Sequence, residues 1–200
     1  EKYLQPAQMP LMTLACTALD QTATSMDTTH ALLYLPTDTV CYWADPFEDR
    51  VLHRRQQRAW DPIHEHCEQL LGDLPASAMG ASEAVLMSRV RSGTKSDPGL
   101  PHPPCILQNS QHFCQSLDAW HLTALNSVTS EAKSFLIGFA VLTGGVSHGA
   151  AVEAARAEEE FQIENWGLVE GGHDYDRLNC SIQMASSFFL KEALAYDNSL

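Results

Sequence analysis

From Ser116 onward the apolar residues recur at helical spacing, and the segments end at glycines. Leu122, Leu125, Val128, Ala132, Phe135, Leu136 and Phe139 follow one another on one side of a helix. Ser116 or Asp118 can cap its start, and Gly144-Gly145 ends it near Leu142. Ser147 caps a second helix that runs to Trp166 and stops at Gly167, and a last helix covers Leu178 to Leu194. Stripes with a period near 3.6 must be buried helix against helix, which makes the fold mainly α.

The N-terminal half follows the same plan in shorter pieces. Pro10 suits a first helical turn, with Leu11, Leu14, Ala15, Ala18 and Leu19 as its stripe. A second short helix runs to about Tyr34, where Pro36 ends it. Thr37 to Trp43 is β-branched and aromatic and predicts one short strand near 38–43. Residues 47–59 return to helical character with a basic face of Arg50, Arg54, Arg55 and Arg58. Asp61 and Pro62 read as the cap and first turn of a new helix that stops near Gly72. Gly93, Pro98, Gly99, Pro101, Pro103 and Pro104 break all periodicity, which predicts a flexible insertion at about 91–113. Residues 1–200 otherwise form a single helical domain.

With 44% hydrophobic and 18% charged residues, the chain can hold its own core and is not of disordered composition. A net charge of −13 argues against a nucleic-acid backbone or an anionic membrane as partner. The six cysteines include no CxxC pair and read as free, mostly buried thiols of a reducing compartment. The longest apolar run, Phe135 to Leu142, is too short to span a membrane.

The most acidic stretch, 158–176, carries two large aromatics, Phe161 and Trp166. Read as one continuous helix at about 100° per residue, Val152, Ala155, Glu159, Gln162, Ile163 and Trp166 share a face. Ala154, Ala157, Phe161 and Asn165 lie opposite. A carboxylate within an apolar stripe must be paired, so Glu159 is expected to meet an arginine, a helix end or a partner. The basic face of residues 50–58 can pair with this acidic helix.

His173-Asp174 has the form of a metal-binding pair of phosphohydrolases, but no second motif supplies further ligands. A metal-dependent phosphohydrolase-like helical enzyme using these two residues is the alternative reading. His64-Glu65-His66-Cys67 lacks HExxH spacing. Ser92-x-x-Lys95 and Ser130-x-x-Lys133 match SxxK without its companion motifs. No GxxxxGK[ST], GxSxG or GxGxxG occurs, so no nucleotide cradle, nucleophile elbow or dinucleotide fingerprint is visible.

Three ordered blocks carry a family resemblance. They are Thr37-Asp38-Thr39-Val40-Cys41-Tyr42, then Gln56-x-x-x-Trp60-Asp61-Pro62-Ile63, then Glu159-Glu160-Phe161-Gln162-x-x-x-Trp166-Gly167-x-Val169-Glu170-x-x-His173-Asp174. Together they resemble the mitochondrial ATP synthase assembly chaperones that bind the alpha subunit of the F(1) head. The resemblance implies an ATP-independent chaperone rather than an enzyme, without cofactor or metal. Its partner would be the unassembled alpha subunit, kept from aggregating until beta takes its place. It also implies the C-terminal part of an α+β two-domain protein whose N-terminal β-rich domain is missing here. The location would be the mitochondrial matrix, or the cytoplasm in bacterial relatives. Glu159, Glu160, Phe161, Gln162, Trp166, Glu170, His173 and Asp174 are the expected partner-binding set, on a protein expected to be a monomer. Trp60, Asp61 and Pro62 are expected to be structural. Trp43 stands where the family often has a basic residue.

Overall fold

Side-chain caps begin three of the helices that build the core. The computed structural model describes residues 9–72, 90–91, 100 and 102–197. Asp118 accepts from the His121 N–H at 2.8 Å and opens α4, Ala119–Ala132. Ser134 accepts from the Ile137 N–H at 3.1 Å and opens α5, Phe135–Leu142. Ser147 accepts from the Ala150 N–H at 3.3 Å and opens α6, His148–Ala155. Each cap satisfies one of the donors that a helix start leaves free.

The first helix among the described residues is α1, Pro10–Cys16, continued by a π-type turn over Thr17–Thr22. Two 3-10 turns follow, Ala31–Thr37 and Thr39–Cys41. The strand is confined to β1, Tyr42–Trp43, which pairs in parallel with β2, Val90–Arg91. α2 spans Arg50–Gly72 and α3 spans Pro104–Ser116. After α6 come α7, Ala157–Trp166, and α8, His173–Asp197. The mainly helical class with a short strand in the 38–43 region is what the sequence predicts.

Every residue from Phe135 to Val141 is buried, so α5 is the centre of the core. α4, α2, α6 and α8 pack around it. α4 meets it so closely that a Cβ on Gly138 would lie 2.4 Å from Thr129 Oγ1 and 3.1 Å from Leu125 Cδ1. Gly138→Ala is therefore expected to destabilise by about 1–2 kcal/mol, because overpacking outweighs the helix propensity gained. A chemical denaturation midpoint at or above wild type would contradict this close approach.

Several element boundaries differ from the sequence reading. The expected helix from 116–118 to Leu142 is two, because Lys133 turns left-handed (φ 52°, ψ 35°) and Ser134 caps anew. The expected helix from Ser147 to Trp166 breaks at Arg156 (φ −110°, ψ 8°). α2 is continuous through Pro62, so Asp61 is no cap; Trp60, Ile63, His64, Cys67 and Leu71 hold it by burial on one face. Pro36 lies inside a 3-10 turn rather than after a helix.

The expected insertion at 91–113 divides. Residues 92–99 and 101 lie outside the described residues, whereas 104–113 belong to α3, with Pro104 in its first turn and Ile106, Ser110 and Cys114 buried. All six cysteines are unbridged, and Cys41, Cys67, Cys114 and Cys180 are buried. Among the described residues no helix is long and apolar enough to cross a membrane.

Candidate functional site

The two unexpected helix breaks meet at one place. Lys133 ends α4 and Arg156 separates α6 from α7. Together with the start of α8 they enclose a cleft of about 540 Å³. Glu131, Glu158, Glu159 and Asp176 line it against the cations Lys133 and Arg156, with Gln162 and Cys180 also in its wall.

Arg156 organises the acidic side. It is only 6% exposed. Its Nη2 lies 2.9 Å from Glu159 Oε1, and its Nε donates to Glu160 Oε1 at 3.1 Å. Glu160 also accepts from Arg177 Nε at 2.8 Å and is closed by Arg177 Nη2. The hydrogen bonds from Arg177 lead in holding the Glu160 carboxyl below the ordinary range, with those from Arg156 adding to them. The carboxylates of α7 are thereby fixed in position before anything binds.

Two other carboxyls are perturbed the opposite way. Burial pushes Glu158 up, while Gln56 Nε2 donates to its Oε1 at 2.7 Å. Gln56 is fully buried and also accepts from the Ala44 N–H at 2.8 Å, so it ties the end of β1 to α7. Burial likewise raises Glu131. The Cys180 thiol is pushed up to about 11, first by burial and then by Glu131. A thiol held protonated is a poor nucleophile. The cleft presents charged and hydrogen-bonding groups to whatever enters it.

The expected site residues fall into four groups. Glu159 and Gln162 line the cleft, with Glu160 beside them in the arginine pairs. Phe161 is half-buried. Trp166 is 78% exposed, and Glu170 and Asp174 are exposed too, so these three lie on the outer surface. His173 Nδ1 accepts the Val169 N–H at 3.1 Å and closes the turn before α8. Among the described residues no three of His, Cys, Asp and Glu gather as metal ligands.

The angular reading of 152–166 fails in its phase. The break at Arg156 rotates α7, so that Ala151, Ala154, Ala157 and Ile163 face inward and Trp166 leaves the stripe. The expected pairing of Glu159 with an arginine holds. The basic face of α2 does meet the acidic helices, through Arg55–Glu164 at 2.5 Å and Arg58–Glu153 at 2.6 Å.

Sequence reasoning missed Arg156, Glu131, Lys133 and Asp176. One signal was available: Arg156 is the lone Lys or Arg between 148 and 166, among five glutamates. Ser130 and Lys133, set aside as a chance SxxK match, both line the cleft.

Comparison with known proteins agrees with the blocks and the fold. A family model described as ATP12 chaperone protein matches residues 1–68. Protein atp12, mitochondrial, of Schizosaccharomyces pombe is 22% identical over 193 residues, covering 93% of this chain and 62% of the relative. Protein ATP12, mitochondrial, of Saccharomyces cerevisiae is 28% identical over 163 residues, covering 73% of this chain and 47% of the relative. The chain thus spans less than two thirds of the length of these curated relatives. The crystal structure of Atp12 from Paracoccus denitrificans superposes with a TM-score of 0.77 at 26% identity, covering 96% of this chain and 75% of that one. Family match, curated relatives and helical architecture point the same way: the chain is similar to the ATP12 chaperone family, in sequence over residues 1–68 and in fold over nearly its whole length.

Proposed function

We propose that the chain is an ATP-independent chaperone of ATP synthase assembly. It binds the unassembled alpha subunit of the F(1) head as a monomer and keeps it from aggregating before beta pairs with it. The observation that best supports this is the cleft: carboxylates held in place by a buried arginine, beside exposed acidic and aromatic residues, with its one cysteine kept protonated. Such a surface grips a partner by charge and by covering apolar area, and the bound negative charge keeps the pair soluble. The role needs no covalent chemistry. The client-facing set is Glu159, Glu160, Phe161, Gln162, Trp166, Glu170, His173 and Asp174. Both curated relatives are named as mitochondrial proteins, and the mitochondrial matrix is the proposed location.

Co-expression with a tagged alpha subunit tests this reading. The wild-type chain is expected to keep the alpha subunit soluble and to co-purify with it. Glu159→Lys with Glu160→Lys is expected to abolish both. Because Glu160 also holds Arg177, the exposed Glu170→Lys provides a second variant that leaves the fold alone; it is expected to weaken the complex. Failure of the wild type to retain alpha subunit, or full retention by both variants, would sink the proposal.

A further inference from the structure

The C-terminal helix carries two apolar faces, and only one of them is covered by the described residues. Cys180, Met184, Ser187 and Leu190 are buried at helical spacing and fix α8 to the core. On the other side, Tyr175, Leu178, Ile182, Ala185 and Phe189 follow one another in steps of three and four. At about 100° per residue they fall within an arc of roughly 80°. That alternation is the seam a helix presents to a second helix. Tyr175, Leu178, Ile182 and Phe189 are exposed by 65%, 58%, 40% and 60%, so the seam is open along three turns or more. Scattered apolar residues on a surface need no explanation, but a contiguous stripe of this kind marks an interaction face.

The charge around this face selects the occupant. Its N-terminal end bears the exposed carboxylates Glu170 and Asp174. The nearest cation, Arg177, is taken up by Glu160. The positive pole of α8 offsets only about half a charge of this. A second copy of the chain would bring another −13 against the first. The neutral Asn179, Ser181 and Ser186 flank the seam and place no charge against a close partner.

We propose that the Tyr175–Phe189 face of α8 is a docking surface for an amphipathic helix of a partner protein, with basic residues at the end that lies over Glu170 and Asp174. The face is separate from the cleft, which uses Asp176 and Cys180 on the inward side of the same helix. The inference does not depend on the partner being the alpha subunit.

The test uses the 200-residue chain and a labelled 18-residue peptide, with leucines at steps of three and four and lysines clustered at one end. Fluorescence anisotropy is expected to show binding that a scrambled peptide of the same composition reduces at least ~10-fold. Leu178→Ser with Ile182→Ser is expected to weaken binding by about the same factor. Glu170→Lys with Asp174→Lys is expected to weaken it several-fold and to flatten its salt dependence. Should the double serine variant lose its fold, photocrosslinking of the peptide to the wild type decides, with crosslinks expected within 175–189. Equal binding of the scrambled peptide, an unaffected and folded serine variant, or crosslinks elsewhere would overturn the proposal. So would a wild-type dimer in sedimentation that the serine variant dissociates, since a second copy would then cover the seam. Peptide binding that survives Glu159→Lys with Glu160→Lys, while alpha-subunit retention is lost, would separate this face from the cleft.

Discussion

Trp60→Ala is expected to destabilise the chain by about 3–5 kcal/mol, the range for removing a large buried aromatic side chain. Trp60 is 1% exposed and meets Trp43 edge-on at 5.4 Å between ring centroids. Its Nε1 donates to the Ala154 carbonyl at 2.9 Å. That bond fastens α2 to the last turn of α6, two residues before the Arg156 break. Truncation would leave a large cavity and a carbonyl without its partner, so transfer, cavity and hydrogen-bond losses combine. Against a typical total of about 5–15 kcal/mol, this is a large share. A melting temperature lowered by about 6–20 °C is the expected readout for a chain of this size. Trp60→Phe should recover most of the packing and lose the bond, at a cost of about 1–2 kcal/mol. A melting temperature for Trp60→Ala within about 3 °C of wild type would show that Trp60 does not anchor the α2–α6 junction.

Asp38 is the second sensitive point. It is fully buried; its Oδ2 accepts from the Leu136 N–H at 3.0 Å and its Oδ1 from the Val40 N–H at 3.3 Å. The side chain thus joins the turn before β1 to the start of α5. Burial pushes its carboxyl up to about 7 from 3.8, although hydrogen bonds led by Ser134 pull the other way. Because the folded value lies above the unfolded one, the favourable contribution is complete below about pH 4 and is lost as pH rises through about 7.

Asp38→Asn does not titrate, so the stability of wild type relative to this variant should fall by up to about 4 kcal/mol between pH 4 and pH 8. Asp38→Ala leaves buried donors, the Leu136 and Val40 N–H groups among them, without their acceptor and should cost about 2–4 kcal/mol at pH 5. Denaturant titrations of the three proteins across that pH range give both numbers. A wild-type minus asparagine difference that stays flat would mean that the buried carboxyl does not carry this cost.

Much of the fold was legible from local chemistry. Asp118 and Ser147 cap where their residue types predict. Pro10 opens α1, and Gly167 takes the positive φ that ends α7. What was not legible has no local signature. Lys133 adopts a left-handed turn that a lysine disfavours, because Ser134 and the buried face of α5 gain from it. The break at Arg156 coincides with its pairing to Glu159 and Glu160, and nothing at that position resembles a stop. Pro62 and Pro104 misled in opposite directions: burial on one face carried α2 through the first, and the second opened α3 rather than extending a loop. The site suffered most, since the cleft exists only where the two unseen breaks meet. Glu159 and Gln162, which stand in the family block, line the cleft, whereas Glu131, Lys133 and Arg156 come together only in three dimensions.

The proposed role ties these elements together. Trp60 and Asp38 hold the junctions that flank the cleft, Arg156 sets its carboxylates, and the client meets a surface already in place. The most direct measurement is light scattering of isolated alpha subunit diluted from denaturant, with and without an equimolar amount of the chain and without added ATP. Scattering suppressed by the wild type, and restored when Glu159 and Glu160 are both changed to lysine, is the result expected of an ATP-independent chaperone acting through α7. Scattering unchanged by the wild-type chain, or suppressed equally by the charge-reversed one, would contradict it.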